Sequence, residues 1–87
     1  MTRTEKIRKA LDALQPESIE IEDESHRHAG HAGAASGHGH FKLKIIAECF
    51  RGLPLIARHR RIYEAMGALM QTDVHALVIK AQAPGET

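Results

Sequence analysis

The chain has 87 residues, enough for one small core, and a domain of that size buries only about 60–65% of the surface its unfolded form exposes. Twelve Lys and Arg against eleven Asp and Glu leave a formal net charge of +1, so bulk charge gives nucleic-acid binding no support, and the size favours a binding module over an enzyme with a deep pocket. A single cysteine, Cys49, excludes an internal disulfide framework, and no apolar run approaches the roughly 18 residues of a membrane span.

Thr2 or Thr4 can cap a first helix in which Ile7, Ala10, Leu11 and Leu14 share one face, and Pro16 stops it. Ser18 to Glu22 alternates, with Ile19 and Ile21 on one side, which predicts a half-buried strand. Residues 25–39 are rich in Gly, Ala, Ser and His; they are too long for a tight turn and predict an exposed, flexible loop. Phe41, Leu43 and Ile45 alternate with Lys42 and Lys44, predicting a second strand from Phe41 to Ala47. Gly52-Leu53-Pro54 then punctuates the chain. From Leu55 to Met70, Ile56, His59, Ile62, Tyr63, Met66, Leu69 and Met70 recur at helical spacing, with Arg58, Arg61 and Glu64 largely off that stripe. Thr72-Asp73 leads into a third strand, Val74 to Lys80, and the tail from Gln82 is short and polar. The order α-β-β-α-β predicts one α+β domain over 1–87, a three-stranded mixed sheet with both helices packed on one face.

Five of the seven histidines fall between positions 26 and 40, making the charge depend on pH below about 6.5. His26, His28 and His31 form H-x-H-x-x-H, and His38 and His40 add H-x-H. Neutral imidazole is a good ligand for zinc, copper, nickel and iron, although such tracts also occur as solvated loop. His75 differs, because the sheet and not the local sequence fixes its position. It reads either as a hydrogen-bonded structural histidine or as a ligand; if the third strand pairs beside the first, it approaches the base of the 25–39 loop. Cys49 ends the second strand and reads as a small packed residue.

Arg58, Arg60 and Arg61 offer either phosphate contacts or a solvated helix face, with His59 packing one turn before Tyr63. Gly30-His31-Ala32-Gly33 has the GxxG form but stands between strands, whereas the nucleic-acid clamp of that form joins two helices. Three aromatic residues are a poor platform for stacking bases. Ser25 beside His26 and His28 lacks fixed orientation and oxyanion donors, and the run Glu20, Glu22, Asp23, Glu24 reads as an exposed strand edge, so catalysis is not expected.

Asp23-Glu24-Ser25-His26-Arg27-His28, His40-Phe41-Lys42, Phe50-Arg51-Gly52, Arg58-His59-Arg60-Arg61-Ile62-Tyr63 and Val74-His75-Ala76-Leu77, in this order, closely resemble the BolA family of small cytosolic proteins from about Ile7 to Ala81. The resemblance implies a fold like the type II KH domain, with at best a vestige of the helix that many relatives carry after the third strand. It implies that His75, at the start of the last strand, is a metal ligand. The second ligand would come from the loop, where Glu24-Ser25-His26-Arg27-His28 matches the family's E-S-x-x-H pattern and selects His28, with His31 as the substitute.

The partner implied is a monothiol glutaredoxin, which would share a [2Fe-2S] cluster through its active-site cysteine and a glutathione thiol. Mixed thiolate and imidazole ligation raises the cluster potential; the complex is the expected functional unit, with no cofactor in the isolated protein. Arg58, Arg60 and the loop around Gly52 are the candidate docking surface, since guanidinium forks suit carboxylates. A DNA-binding regulator using the basic helix 55–70, through Arg58, Arg60 and Arg61, is the alternative; zinc or nickel buffering by His26, His28 and His31 is a third. The N-terminus, with Glu5 and Lys6, lacks the core of a signal peptide. A cytoplasmic protein, without membrane contact and monomeric or weakly homodimeric when alone, is expected.

Overall fold

A computed structural model of the protein describes residues 1–24 and 39–86. Helix α1 (Arg3–Leu11) begins with a capping box. The Thr2 hydroxyl accepts from the Glu5 amide at 3.1 Å and the Glu5 carboxylate accepts from the Thr2 amide at 3.2 Å, which satisfies two otherwise orphaned donors. Ile7 and Leu11, one turn apart, are fully buried. A 3-10 turn over Asp12–Leu14 follows, and Gln15, in a left-handed conformation at φ 51°, turns the chain before Pro16.

Strand β1 (Ser18–Asp23) pairs antiparallel with β2 (Gly39–Ile46), from Ser18 opposite Ile46 to Asp23 opposite Phe41. A 3-10 turn at Glu48–Phe50 leads to helix α2 (Leu55–Met66) and a single helical turn α3 (Leu69–Thr72). The chain then returns as β3 (Val74–Gln82), parallel to β2. The sheet order is β1-β2-β3, an α+β fold with helices on one face.

Strand β2 shows why the layers form. Phe41, Leu43 and Ile45 are buried against the helices, while Lys42 and Lys44 face out, the period-2 pattern of a half-buried strand. Ile7, Leu11, Phe50, Ile62 and Met66 complete the core from the helical side.

Three expectations are corrected. β2 begins at Gly39, so His40 belongs to the sheet and not to the loop; the expectations for residues 25–38 lie outside the described residues. The third strand pairs with the second, so the condition under which His75 would approach the loop base, pairing beside the first strand, is not met. The expected helix to Met70 breaks at Gly67, whose φ of 55° lies in a region that glycine tolerates and other residues rarely adopt. The buried positions of α2 are Arg58, Ile62 and Met66, whereas Ile56 and Tyr63 are 62% and 42% exposed. No helix among the described residues is long and apolar enough to cross a membrane.

Candidate functional site

The parallel pairing of β2 with β3 is interrupted where it starts. Gly39 pairs with Val74 and His40 with Ala76, so His75 is the extra residue of a bulge. Such a bulge bends the strand and re-aims the inserted side chain. His75 is exposed and His40 half-buried, and their ring centroids lie 5.1 Å apart with planes tilted by 35°. Backbone hydrogen bonds hold this corner from both sides. The Gly39 amide donates to the Asp73 carbonyl at 3.0 Å, and the Glu24 amide donates to the His40 carbonyl at 2.8 Å.

Asp73 joins the corner to helix α1. Its carboxylate accepts from the Thr72 hydroxyl at 2.7 Å and from Lys6 Nζ at 3.1 Å, with Arg3 Nε at 3.9 Å. The hydroxyl bond first, then the Lys6 ammonium, holds its pKa below the ordinary value. The residue two positions before His75 is therefore fixed by contacts to a different element.

Imidazole nitrogens so placed are borderline-soft donors, suited to iron, zinc or copper. They can fill two positions around a metal centre. Among the described residues no group of three or more His, Cys, Asp or Glu is assembled. His28 and His31 fall in the segment 25–38, outside the described residues. His40 stands outside the sequence-predicted ligand set His75, His28 and His31, although its parity with Lys42 and Lys44 on the outer face signals strand from one residue before Phe41.

The basic helix divides in two. Arg58 was expected on a docking surface or against phosphate; instead it is 8% exposed, and four of its five N–H donors are used inside the fold. Nε donates to the Leu53 carbonyl at 2.8 Å, and Nη1 to the Ala81 carbonyl at 3.1 Å. Nη1 and Nη2 also grip both oxygens of Glu86 at 2.6 and 2.9 Å. Glu86 in turn accepts from the Ala83 amide at 2.8 Å. The expected polar tail is thus a docked turn, and Arg58 is a structural clamp. Arg60, Arg61 and Gly52 are exposed. Arg51 is engaged with Glu48 at 2.7 and 2.9 Å and with the Pro84 carbonyl at 2.9 Å. Tyr63 is more exposed than a packing role requires. Cys49 is half-buried against the core with its thiol 3.8 Å from the Leu14 carbonyl.

The Arg58 guanidinium, followed by the Ala83 amide, pulls the Glu86 pKa from 4.5 to about 2. A depressed carboxylate pKa stabilises the fold above the unfolded-state value, and this contribution is lost as pH falls through the folded value. Replacing Glu86 by Gln should lower the melting temperature most above pH 4.5, and the gap to the unaltered protein should narrow progressively towards pH 2. Thermal unfolding followed by circular dichroism across that range checks it.

The family model described as BolA-like protein matches residues 11–86. A Sinorhizobium sp. protein described as an uncharacterized protein in the cobS 5′ region is 38% identical over 89 residues, covering 99% of this chain and 96% of that protein. SufE-like protein 1, chloroplastic/mitochondrial, from Arabidopsis thaliana is 42% identical over 87 residues, 94% of this chain but 23% of that protein. The solved structure of the BolA domain of SufE1 from Arabidopsis thaliana is similar with a TM-score of 0.84 and 39% identity, covering 100% of this chain and 98% of that one. The DNA-binding transcriptional regulator BolA of Escherichia coli (strain K12) is 40% identical over 67 residues, 77% of this chain and 61% of that protein.

Proposed function

The chain belongs to the BolA-like family, and from that premise we propose that it is the partner of a monothiol glutaredoxin, the two proteins sharing a [2Fe-2S] cluster in cluster trafficking or iron regulation. The observation that carries this reading is the His40–His75 pair, two imidazoles with ring centroids 5.1 Å apart where β2 and β3 begin. In the proposed complex His75 is the fixed ligand and the segment 25–38 brings the second, His28 first and His31 next. His40 either orients the His75 ring or takes the place of the loop ligand. The glutaredoxin cysteine and a glutathione thiol complete the set, and imidazole ligation raises the potential above that of an all-thiolate cluster. Arg60 and the turn at Gly52 serve as docking residues, beside Leu55 and Ile56, which are 64% and 62% exposed. Arg58 has no docking role, since its donors are committed to the fold.

The test is co-expression with a monothiol glutaredoxin, with visible absorption and circular dichroism of the purified complex. His75→Ala should remove one of the two imidazole ligands and with it that ligand's share of the histidine-ligation spectrum, while leaving the apo-protein folded, because the residue is exposed. His40→Ala should lower cluster retention about 10–100-fold, the usual cost of losing a group that orients a ligand. A spectrum unchanged in His75→Ala removes His75 as a ligand.

The name of the Escherichia coli relative favours a second reading, DNA binding. It would use Arg60 and Arg61, both exposed on α2. Affinity should then fall steeply with salt, and the double Ala variant should reduce the slope of log K against log salt by about two. Binding indifferent to both arginines would dispose of this reading.

A further inference from the structure

Among the described residues, strand β3 is an edge strand, paired with β2 on one side only. Two hydrogen bonds fix the direction of its backbone groups. The Gln82 carbonyl accepts from the Ala47 amide at 2.9 Å, on the β2 side. The Ala81 carbonyl accepts from Arg58 Nη1 at 3.1 Å, on the side away from β2. Backbone groups alternate along a strand, so the N–H and C=O of Leu77 and Ile79 and the N–H of Ala81 point to the open edge. Among the described residues, no backbone hydrogen bond outside the sheet ladder engages Leu77 or Ile79. An unpaired edge of this kind is a template for another strand.

Beside the edge runs a groove of about 730 Å³, walled by Leu55 and His59 from α2 and by Ile79 and Lys80 from β3, with Gly85 and Glu86 at one end. The helix layer stops short of the edge: Leu55 is 64% exposed and Ile79 is only half-buried. We propose that this edge takes up an extended peptide segment of a partner protein as a fourth strand, and that the segment alternates apolar and acidic residues.

The alternation follows from strand geometry. Ile79 and Lys80 point to opposite faces of the sheet, and an added strand alternates in the same way. Every second side chain of the peptide falls on the Leu55–Ile79 side, where apolar groups bury apolar surface. The side chains between them face Lys80. Lys80 stands opposite Lys44 in the β2–β3 register, and like charges placed directly opposite are unfavourable. Lys44 already stands opposite Glu20 on β1, whereas Lys80 has no ion-pair partner among the described residues, so a carboxylate on an added strand supplies Lys80 with the counter-charge that Lys44 has. The Arg58–Glu86 clamp, which occupies the Ala81 carbonyl, sets where the added pairing ends. It also argues against a phosphate backbone in the groove, because Arg58 is already neutralised and the end wall presents Glu86.

The probe is the synthetic peptide acetyl-Glu-Val-Glu-Leu-Glu-Val-Glu-amide, titrated into the isotope-labelled apo-protein by amide-detected NMR. Its Lys-for-Glu counterpart and an oligothymidylate are run alongside. The expected result is saturable shifts at Leu55, Leu77, Ile79 and Ala81, with slowed hydrogen exchange of the Ile79 amide. Lys80→Glu and the Lys peptide should each weaken binding about tenfold, and Leu55→Asp should weaken it by a similar factor; both substituted residues are exposed, so the amide spectrum reports folding independently. No saturable shift, shifts confined to another surface, or oligothymidylate moving the same amides in preference to the peptide would overturn the proposal. The experiment contains no glutaredoxin and no iron, so its failure leaves the cluster reading untouched.

Discussion

Parallel pairing of β2 with β3 is the constraint on which the rest of this molecule depends. Parallel neighbours cannot be joined by a tight turn; they need a crossover of a dozen or more residues. That crossover is α2 and α3, and it carries the apolar side chains that cover Phe41, Leu43 and Ile45. The same pairing brings the two strand starts to one corner, where the bulge at Gly39 and His40 turns His75 outwards beside the His40 ring. Core and candidate ligand pair are therefore consequences of a single pairing. Asp73 reinforces it from α1 through Lys6, so the histidine corner is fixed to the helical layer as well as to the sheet.

Arg58 performs the corresponding task at the other end of β3. Burying a guanidinium is unfavourable unless its donors are matched, and here a backbone carbonyl from the preceding loop, one from β3 and a bidentate carboxylate match them. The clamp fastens the N-terminal half of α2 to the end of the sheet and folds the 83–86 turn back onto it. It also leaves Leu55 and Ile56 outside the core. A helix that buries an arginine and exposes two large aliphatic residues has its apolar surface available for partners, and both the proposed glutaredoxin docking and the proposed peptide site use that surface.

Much of the fold was legible in the sequence because it is written at short range. The alternation of Phe41, Leu43 and Ile45 with lysines identifies β2, the spacing of Ile7 and Leu11 identifies the buried face of α1, and Thr2 is one of the two threonines placed to cap it. What stayed hidden depends on distant partners. Hydropathy placed Arg58 in solvent because its acceptors, Ala81 and Glu86, lie 23 and 28 residues away. Once Arg58 is buried, the face of α2 rotates, and Ile56 and Tyr63 move outwards. The order of strands in the sheet is likewise absent from local alternation, which leaves His40 grouped with the loop histidines and its contact with His75 hidden. His75 itself was identifiable from its motif, but its place on a bulge was not, since a bulge exists only relative to the strand it pairs with.

The most direct test of the shared-cluster account is pulsed electron paramagnetic resonance of the reduced complex, with nitrogen-15 histidine in this chain and unlabelled glutaredoxin. The account predicts hyperfine couplings from two imidazole nitrogens that change isotope with the label, one of them lost in His75→Ala. A cluster spectrum without any label-dependent nitrogen coupling would mean that this chain supplies no ligand, and would contradict the account.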